Sequence, residues 1–330
     1  MKKILSFLIV VSILFSSCSK EEKVDEVVVY TYSSFSGEWG AGPKIAKLFE
    51  EKTGTRVRFI TCKDASSIVT SAFQEKAEPK ADVVLGIDNY LLGKAIKLDI
   101  LSPYKAKRAN EIEPNLIMSD EDLITPFDFG YFAFMYNTTS ELPPPKSLKD
   151  LLDKRYKGKI VLMNPMTSTP GLGVLLWMHE VFGSSYIEKW KELNNNVLSM
   201  PTSWSQGYSL FTSGEVPLVI SYTTSLAAHL LYDKTEKFQP LIFEEGHLSQ
   251  IEGVALLKGA VNAEKGKEFI DFMLSDEVQS IIGETQFMFP VMKSVKLPST
   301  FSSIPSPQKV LKFESENIEK VISDAMNAVK

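Results

Sequence analysis

Two α/β lobes facing each other across a cleft is the architecture this sequence predicts, and three features carry it. One is a strand, helix, strand, helix, strand alternation running from VVVYTY to ADVVLGI, the order of a parallel sheet covered by helices on both faces. Another is a second such series that starts at KIVLM. The last is how the two are joined: the chain leaves the first set near residue 125 and returns near 245 through extended segments. Small ligands commonly bind where the strands of open α/β sheets end and between domains, so the cleft is the first place to look for function.

The N-terminus is read before the fold. MKK is a short basic region and ILSFLIVVSILF an apolar run of signal-peptide length, too short and wrongly flanked to span a membrane, so the protein is expected to be exported. Cys18 follows in LFSSC, and SKEEKVDE after it has the polarity of a tether. The stretch resembles a bacterial lipoprotein signal, in which the cysteine becomes the lipidated first residue, although Leu14 stands four residues before Cys18 instead of three. Acyl chains would hold the protein on a membrane surface at about 0.8 kcal/mol per buried CH2. The alternative is ordinary cleavage nearby with Cys18 discarded. The expected organisation is a signal peptide over 1–17, a tether over 18–26, lobe 1 over 27–125, lobe 2 over 126–245, and a return to lobe 1 with C-terminal helices over 246–330.

Within the lobes the elements follow in order. VVVYTY, VRFITC and ADVVLGI predict strands, PKIAKLFEEKTG a helix closed by Gly, and SIVTSAFQEK a second helix. TPFDFGYFAFMYN is long, aromatic and strand-like, and LPPPKSLKDLLDKRYKG predicts a proline turn leading into a helix. In the second set KIVLM and PLVISY are strands, while GLGVLLWMHEVFG, IEKWKELNNN, YSLFTSG and SLAAHLLYDK are helical, with Trp177 and Trp190 on core faces. FQPLIF and GVALLKG return as strands before AEKGKEFIDFMLSDEVQSIIG and NIEKVISDAMNAVK close the chain as helices.

Composition excludes some functions. With 44% hydrophobic and 23% charged residues the chain is globular, and a net charge of -5 with scattered Lys and Arg leaves no nucleic-acid footprint. Cys62 is the one cysteine besides Cys18, so once Cys18 is acylated or removed neither a disulfide nor a cysteine metal site is available. His179, His229 and His247 lack metal-ligand spacing and are read as packing or hydrogen-bonding groups. Asp88, Asp128 and Glu252 could suit a polyamine, but are read mainly as hinge, cap or surface groups.

Three strands end in the same way, with a polar turn and a helix: Lys63-Asp64-Ala65-Ser66, Thr167-Ser168-Thr169-Pro170-Gly171 and Tyr222-Thr223-Thr224-Ser225. Each is a helix cap on one reading and, because a helix start leaves N–H groups unpaired and partly positive, an oxyanion socket on another. Tyr30, Tyr32, Phe35 and Trp39 cluster after the first strand, and Trp204 sits between serines as a stacking wall or as core.

VYTYSSFSGEWGAGP, ADVVLGIDNYLL, PFDFGYFAFMYN, TSTPGLGVLLWM, SWSQGYSLF, LVISYTTS and FEEGHLSQIE, in that order, resemble the thiamine-binding substrate-binding proteins of ABC transporters over nearly all of the mature chain. The resemblance implies a type II periplasmic-binding fold that closes on thiamine, thiamine phosphate or thiamine diphosphate, with no cofactor, no catalysis and no metal. The implied partners are an ABC permease and its separate ATPase, with the protein itself a monomer. It places phosphate contacts at Asp64, Ala65, Ser168 and Thr169, an aromatic wall at Trp204, further contacts at Tyr222, Thr223, Thr224 and Ser225, and a cleft tyrosine at Tyr32. This chain departs from the family pattern at Ala228, where an aromatic can stand, at Phe287 in place of Trp, and at Ser33 in place of an acid. The rival readings are another ligand of the same fold (iron, an oxyanion, a phosphonate or a polyamine) and, further off, a lipid-anchored enzyme.

Overall fold

The computed structural model describes residues 25–313 and 317–329, so the signal segment, Cys18 and the tether up to residue 24 lie outside the described residues. The first lobe opens with β1 (Glu26–Tyr32), α1 (Ser33–Ser36), α2 (Gly42–Thr53), β2 (Arg56–Cys62), α3 (Ala65–Gln74), β3 (Val83–Asp88), α4 (Leu92–Lys97) and the short β4 (Leu101–Ser102). β1 lies between β2 and β3, parallel to both. β3 is buried along its whole length and β1 along all but its first residue, as strands covered on both faces must be; edge strand β2 keeps exposed positions.

The chain then crosses on β5 (Thr125–Asn137) into the second lobe. That lobe holds β6 (Ile160–Val161), α5 (Thr169–Phe182), α6 (Tyr186–Asn194), β7 (Val197–Ser199), α7 (Trp204–Thr212), β8 (Leu218–Tyr222), α8 (Ser225–Ala228) and β9 (Phe238–Pro240). It returns on β10 (His247–Leu257) to α9 (Ala263–Met273), α10 (Asp276–Ile281), β11 (Phe289–Pro290), β12 (Val310–Leu311) and α11 (Ile318–Ala328). The strand order is β2-β1-β3-β10-β5-β8-β6-β7. β5 pairs antiparallel with β10 through Thr125–Tyr131 and with β8 through Phe132–Tyr136, so it passes from one half of the sheet to the other between Tyr131 and Phe132.

Each lobe has its aromatic core. Phe35 meets Phe127 edge-on at 6.1 Å in the first, and Phe134 stacks on Trp177 at 6.4 Å in the second. Trp177 and Trp190 are fully buried. His247 is buried where β10 begins: its Nδ1 donates to the Phe132 carbonyl at 2.7 Å, its Nε2 accepts from the Phe243 amide at 2.9 Å, and burial lowers its pKa, so it stays neutral.

Four element expectations need correction. The helix expected after the prolines is two single turns, Asp150–Leu152 and Lys154–Tyr156, because Asp153 between them is extended and caps the second through the Arg155 amide. The long helix over 263–283 breaks between α9 and α10, where the Ser275 hydroxyl caps the Val278 amide. SLAAHLLYDK starts as α8 and widens to a π turn at His229–Asp233. The returning strand starts at His247, earlier than GVALLKG implies, which brings Gln250 and Glu252 into the sheet.

Candidate functional site

A cavity of about 690 Å3 lies between the lobes, within the range typical of small-molecule sites. Tyr32, Asp64, the start of α1 and the turn from Gly37 to Gly40 line it from the first lobe, and Thr169, Trp204, Tyr208, Tyr222 and Ser225 from the second. Gln250 and Glu252 reach it from β10, and Gln286 and Phe287 from the segment after α10. The site expected from the sequence is therefore assembled in part. Tyr32, Asp64, Thr169, Trp204, Tyr222, Ser225 and Phe287 share this cavity, whereas Ala65, Ser168, Thr223 and Thr224 are buried behind it and do not line it.

Strand alternation places Gln250 and Glu252 on one face of β10. The Tyr32 hydroxyl donates to Glu252 Oε2 at 2.6 Å and accepts from Gln286 Nε2 at 2.8 Å; Tyr222 donates to Gln250 Oε1 at 2.6 Å, and Gln250 Nε2 donates to the other Glu252 oxygen. A continuous hydrogen-bonded chain thus runs from lobe to lobe through the crossing strand. Tyr32 lies flat on β3 because residue 86 is Gly: with φ +100, a Cβ there would stand 2.3 Å from the Tyr32 ring.

The helix starts assigned to a phosphate already meet carboxylates of this chain. Asp64 Oδ1 accepts from the Ala65 amide at 2.8 Å, and its other oxygen accepts across the cleft from the Trp204 amide, the first residue of α7, at 3.4 Å. The Ser168 hydroxyl faces the Asp64 carboxyl and lowers its pKa without reaching full hydrogen-bond geometry. Asp88 accepts from the Tyr90 and Leu91 amides at 2.8 and 3.0 Å and, across the cleft, from the Thr169 hydroxyl at the start of α5. Two first-lobe aspartates therefore hold the starts of two second-lobe helices, where the macrodipole favours negative charge. Asp88, read with Asp128 and Glu252 as a hinge, cap or surface group, closes the turn before α4 without being that helix's N-cap, and it also joins the lobes. Asp128 and Glu252 are neither caps nor surface groups.

Buried acid dominates the electrostatics. Among the described residues lining the cavity there is no Lys, Arg or His, while Glu38, Asp64 and Glu252 are present. Burial raises Asp64 and Asp88 to about 6, against the pull of their hydrogen bonds. Burial first, partly offset by the Tyr32 bond and reinforced by Asp88 and Asp64, raises Glu252 to about 8. Among the described residues Asp128 has no hydrogen-bond partner, and burial, then the charge of Glu252, pushes it well above the usual carboxylate range. These groups bind protons more tightly folded than unfolded, so the stability they confer is greatest at acid pH and is lost as pH rises through about 6 and then about 8. The melting temperature of the empty protein should therefore fall by several degrees between about pH 5.5 and about pH 8.5, and a midpoint that rises over this window would contradict the arrangement.

The aromatic wall is partly core and partly surface. Trp204 stacks on Tyr208 with centroids 4.7 Å apart, and its indole N–H donates to the Ser221 hydroxyl at 2.9 Å, so it has the apolar and polar partners that the flanking serines gave no sign of. At the rim, Phe287 meets Tyr232 edge-on at 5.6 Å from a left-handed backbone with φ 53, a conformation rare for a bulky residue and found where surrounding structure enforces it. Trp39 is 84% exposed at the same rim. Ala228 lines the cavity between these groups, leaving open the volume an aromatic would fill. His229 is tied to Asp233 at 2.6 Å and to the Tyr208 hydroxyl at 2.8 Å.

Residues 78–320 match the family of bacterial extracellular solute-binding proteins. The chain belongs to that family. Its relatives include a thiamine-binding periplasmic protein of Brucella abortus, 38% identical over 87% of this chain and 86% of the relative. One of the same description from Escherichia coli K12 is 37% identical over 87% of each. A solved periplasmic thiamin binding protein superposes with a TM-score of 0.87 at 35% identity, covering 92% of this chain and 96% of the other. This solute-binding protein thus has the two-lobed periplasmic binding fold, in a family whose members bind rather than transform their solutes, and a periplasmic role follows. Among the described residues no helix is long and apolar enough to cross a membrane.

The sequence reading missed Gln250, Glu252 and Gln286 as cavity residues. Gln250 and Glu252 had a usable signal: two polar residues at i and i+2 in SQIEGVALL put both on one face of an otherwise apolar strand. Gln286 had none, since its place depends on how the chain folds back after α10.

Proposed function

We propose that this protein captures thiamine outside the cytoplasm and delivers it to an ABC permease driven by a separate ATPase. The observation that carries the reading is a cavity walled by Tyr32, Trp204, Tyr208, Tyr222 and Phe287 and charged by carboxylates, with no cationic side chain among its described lining residues. A flat, permanently cationic heterocycle suits both properties, through its face on aromatic rings and its charge opposite acid. The relatives named for thiamine support the choice over a ferric ion, a phosphonate or a polyamine. Contacts to both lobes favour closure, because a ligand shifts an equilibrium only by its differential affinity for the two states. We place one lobe at about 27–125 and 246–330 and the other at about 126–245, with the first half of β5, up to Tyr131, still paired on the first lobe's side, and assign the membrane anchor to lipid on Cys18, which Cys18→Ser would release into the soluble fraction.

Free thiamine is the preferred form on this reading, since a phosphate entering the starts of α5 and α7 must displace or protonate Asp64 and Asp88. Both acids ionise near pH 6, so the preference for thiamine over thiamine phosphate should widen as pH rises from about 5 to about 8. Calorimetric titration with thiamine, its two phosphates, spermidine and ferric ion tests the assignment. Silence with thiamine alongside binding of spermidine or iron would replace it.

A further inference from the structure

We infer that Glu252 is the counter-charge for the bound cation, and that in the empty protein it carries a proton beside Asp128 which it releases to solvent when the cation enters. The inference rests on the thiamine reading and adds a proton to the binding step.

The geometry places acid on either side of Glu252. It pairs in register with Asp128 on β5 and with Asp88 on β3, and the register shifts immediately after it against β5 and one residue later, after Gly253, against β3. Asp128 is fully buried and neither of its oxygens has a hydrogen-bond partner among the described residues, the condition of a carboxyl group kept neutral. The titratable groups that bear on Glu252 are Asp64, Asp88, Asp128, Tyr32 and Tyr222, and none of them can carry a positive charge. With no cation to hand, adjacent carboxyls in a low-dielectric site cannot all ionise, and a proton is the neutraliser that remains.

Glu252 is the member of the pair that a ligand can reach. It lines the cavity and keeps 6% of its surface, whereas Asp128 has none. Its two oxygens already accept from Tyr32 and Gln250, so the ionised form meets its donors in place and needs only a positive charge. The exchange balances: the neutral carboxyl group and a cation become a carboxylate beside the cation, and one proton passes to the buffer. The position of Glu252 near 8 in the empty protein sets the window, because a bound cation lowers it and a proton then leaves at neutral pH. Affinity must therefore rise with pH up to about 8 and level off above it.

The test is calorimetry of the purified protein with thiamine in two buffers of different ionisation enthalpy, repeated from about pH 6.5 to about pH 8.5. Thiamine keeps its thiazolium charge throughout. Release of more than half a proton per thiamine near neutral pH, with Kd tightening about tenfold between pH 6.5 and 8, is the expected result. Glu252→Gln should abolish both the proton release and the pH dependence. Asp128→Asn should leave proton release near its original value, because the carboxyl group it replaces is already neutral; loss of release in this variant would place the proton on Asp128 and overturn the assignment to Glu252, and it decides the matter if Glu252→Gln fails to fold. Thiamine binding with buffer-independent heat and a flat pH profile would overturn this inference while leaving the function intact. Absence of any thiamine binding would overturn both.

Discussion

Trp204→Ala is expected to weaken thiamine binding at least tenfold, about 1.4 kcal/mol. Three things go at once: the indole face on the cavity, the stack on Tyr208 and the N–H bond to Ser221. The backbone amide of residue 204 remains to meet Asp64, so contact between the lobes is kept and the loss falls on the ligand. Trp204→Phe separates the contributions, since a phenyl ring retains the stack but not the N–H donor, and it should recover most of the affinity. Titration calorimetry on both variants measures this; an unchanged Kd for the alanine variant would remove Trp204 from the site.

Gly171→Ala should damage stability and binding together. A Cβ at this position would lie 2.1 Å from the Met163 carbonyl oxygen and 2.6 Å from its carbon, both backbone atoms that no rotamer change can move. α5 must then shift away from the end of β6, at a cost of about 1–3 kcal/mol and a fall in melting temperature of several degrees. Thr169 and Pro170, in the same first turn, line the cavity, so the displacement loosens the Thr169 bond to Asp88 as well. A variant with the original melting temperature and affinity would show that the helix start tolerates more movement than its packing implies.

The run TSTPGLGVLL was legible as a helix start because Pro and small residues before an apolar segment permit little else, and Gly171 shows the second reason for smallness: backbone meets backbone there. The two lobes were legible from alternation and from the extended segments near 125 and 245, which are the crossing strands. What lies opposite a helix start was not. Asp64 reads as a local cap, and it is one, but its second oxygen serves a residue 140 positions away. Local sequence grammar carries no information about such partners. The same limit hid Asp128, a lone acid within PFDFGYF whose burial depends on β10 and β11, distant in sequence, closing on either side of it. Trp204 misled in the other direction: its serine neighbours face elsewhere, and its packing partner is one helical turn on, at Tyr208.

β5 and β10 stay hydrogen-bonded side by side through the crossing, from Val254 opposite Thr125 to Ser249 opposite Tyr131. A two-stranded antiparallel ribbon bends readily across its flat face and resists shear along its length, because sliding would break every rung of the ladder simultaneously. Relative motion of the lobes is thereby confined to a swing about one axis, along which each half keeps its own rigid interior. Spin labels placed on α2 and α6 would register that swing as a change in a single separation, with little torsion beside it.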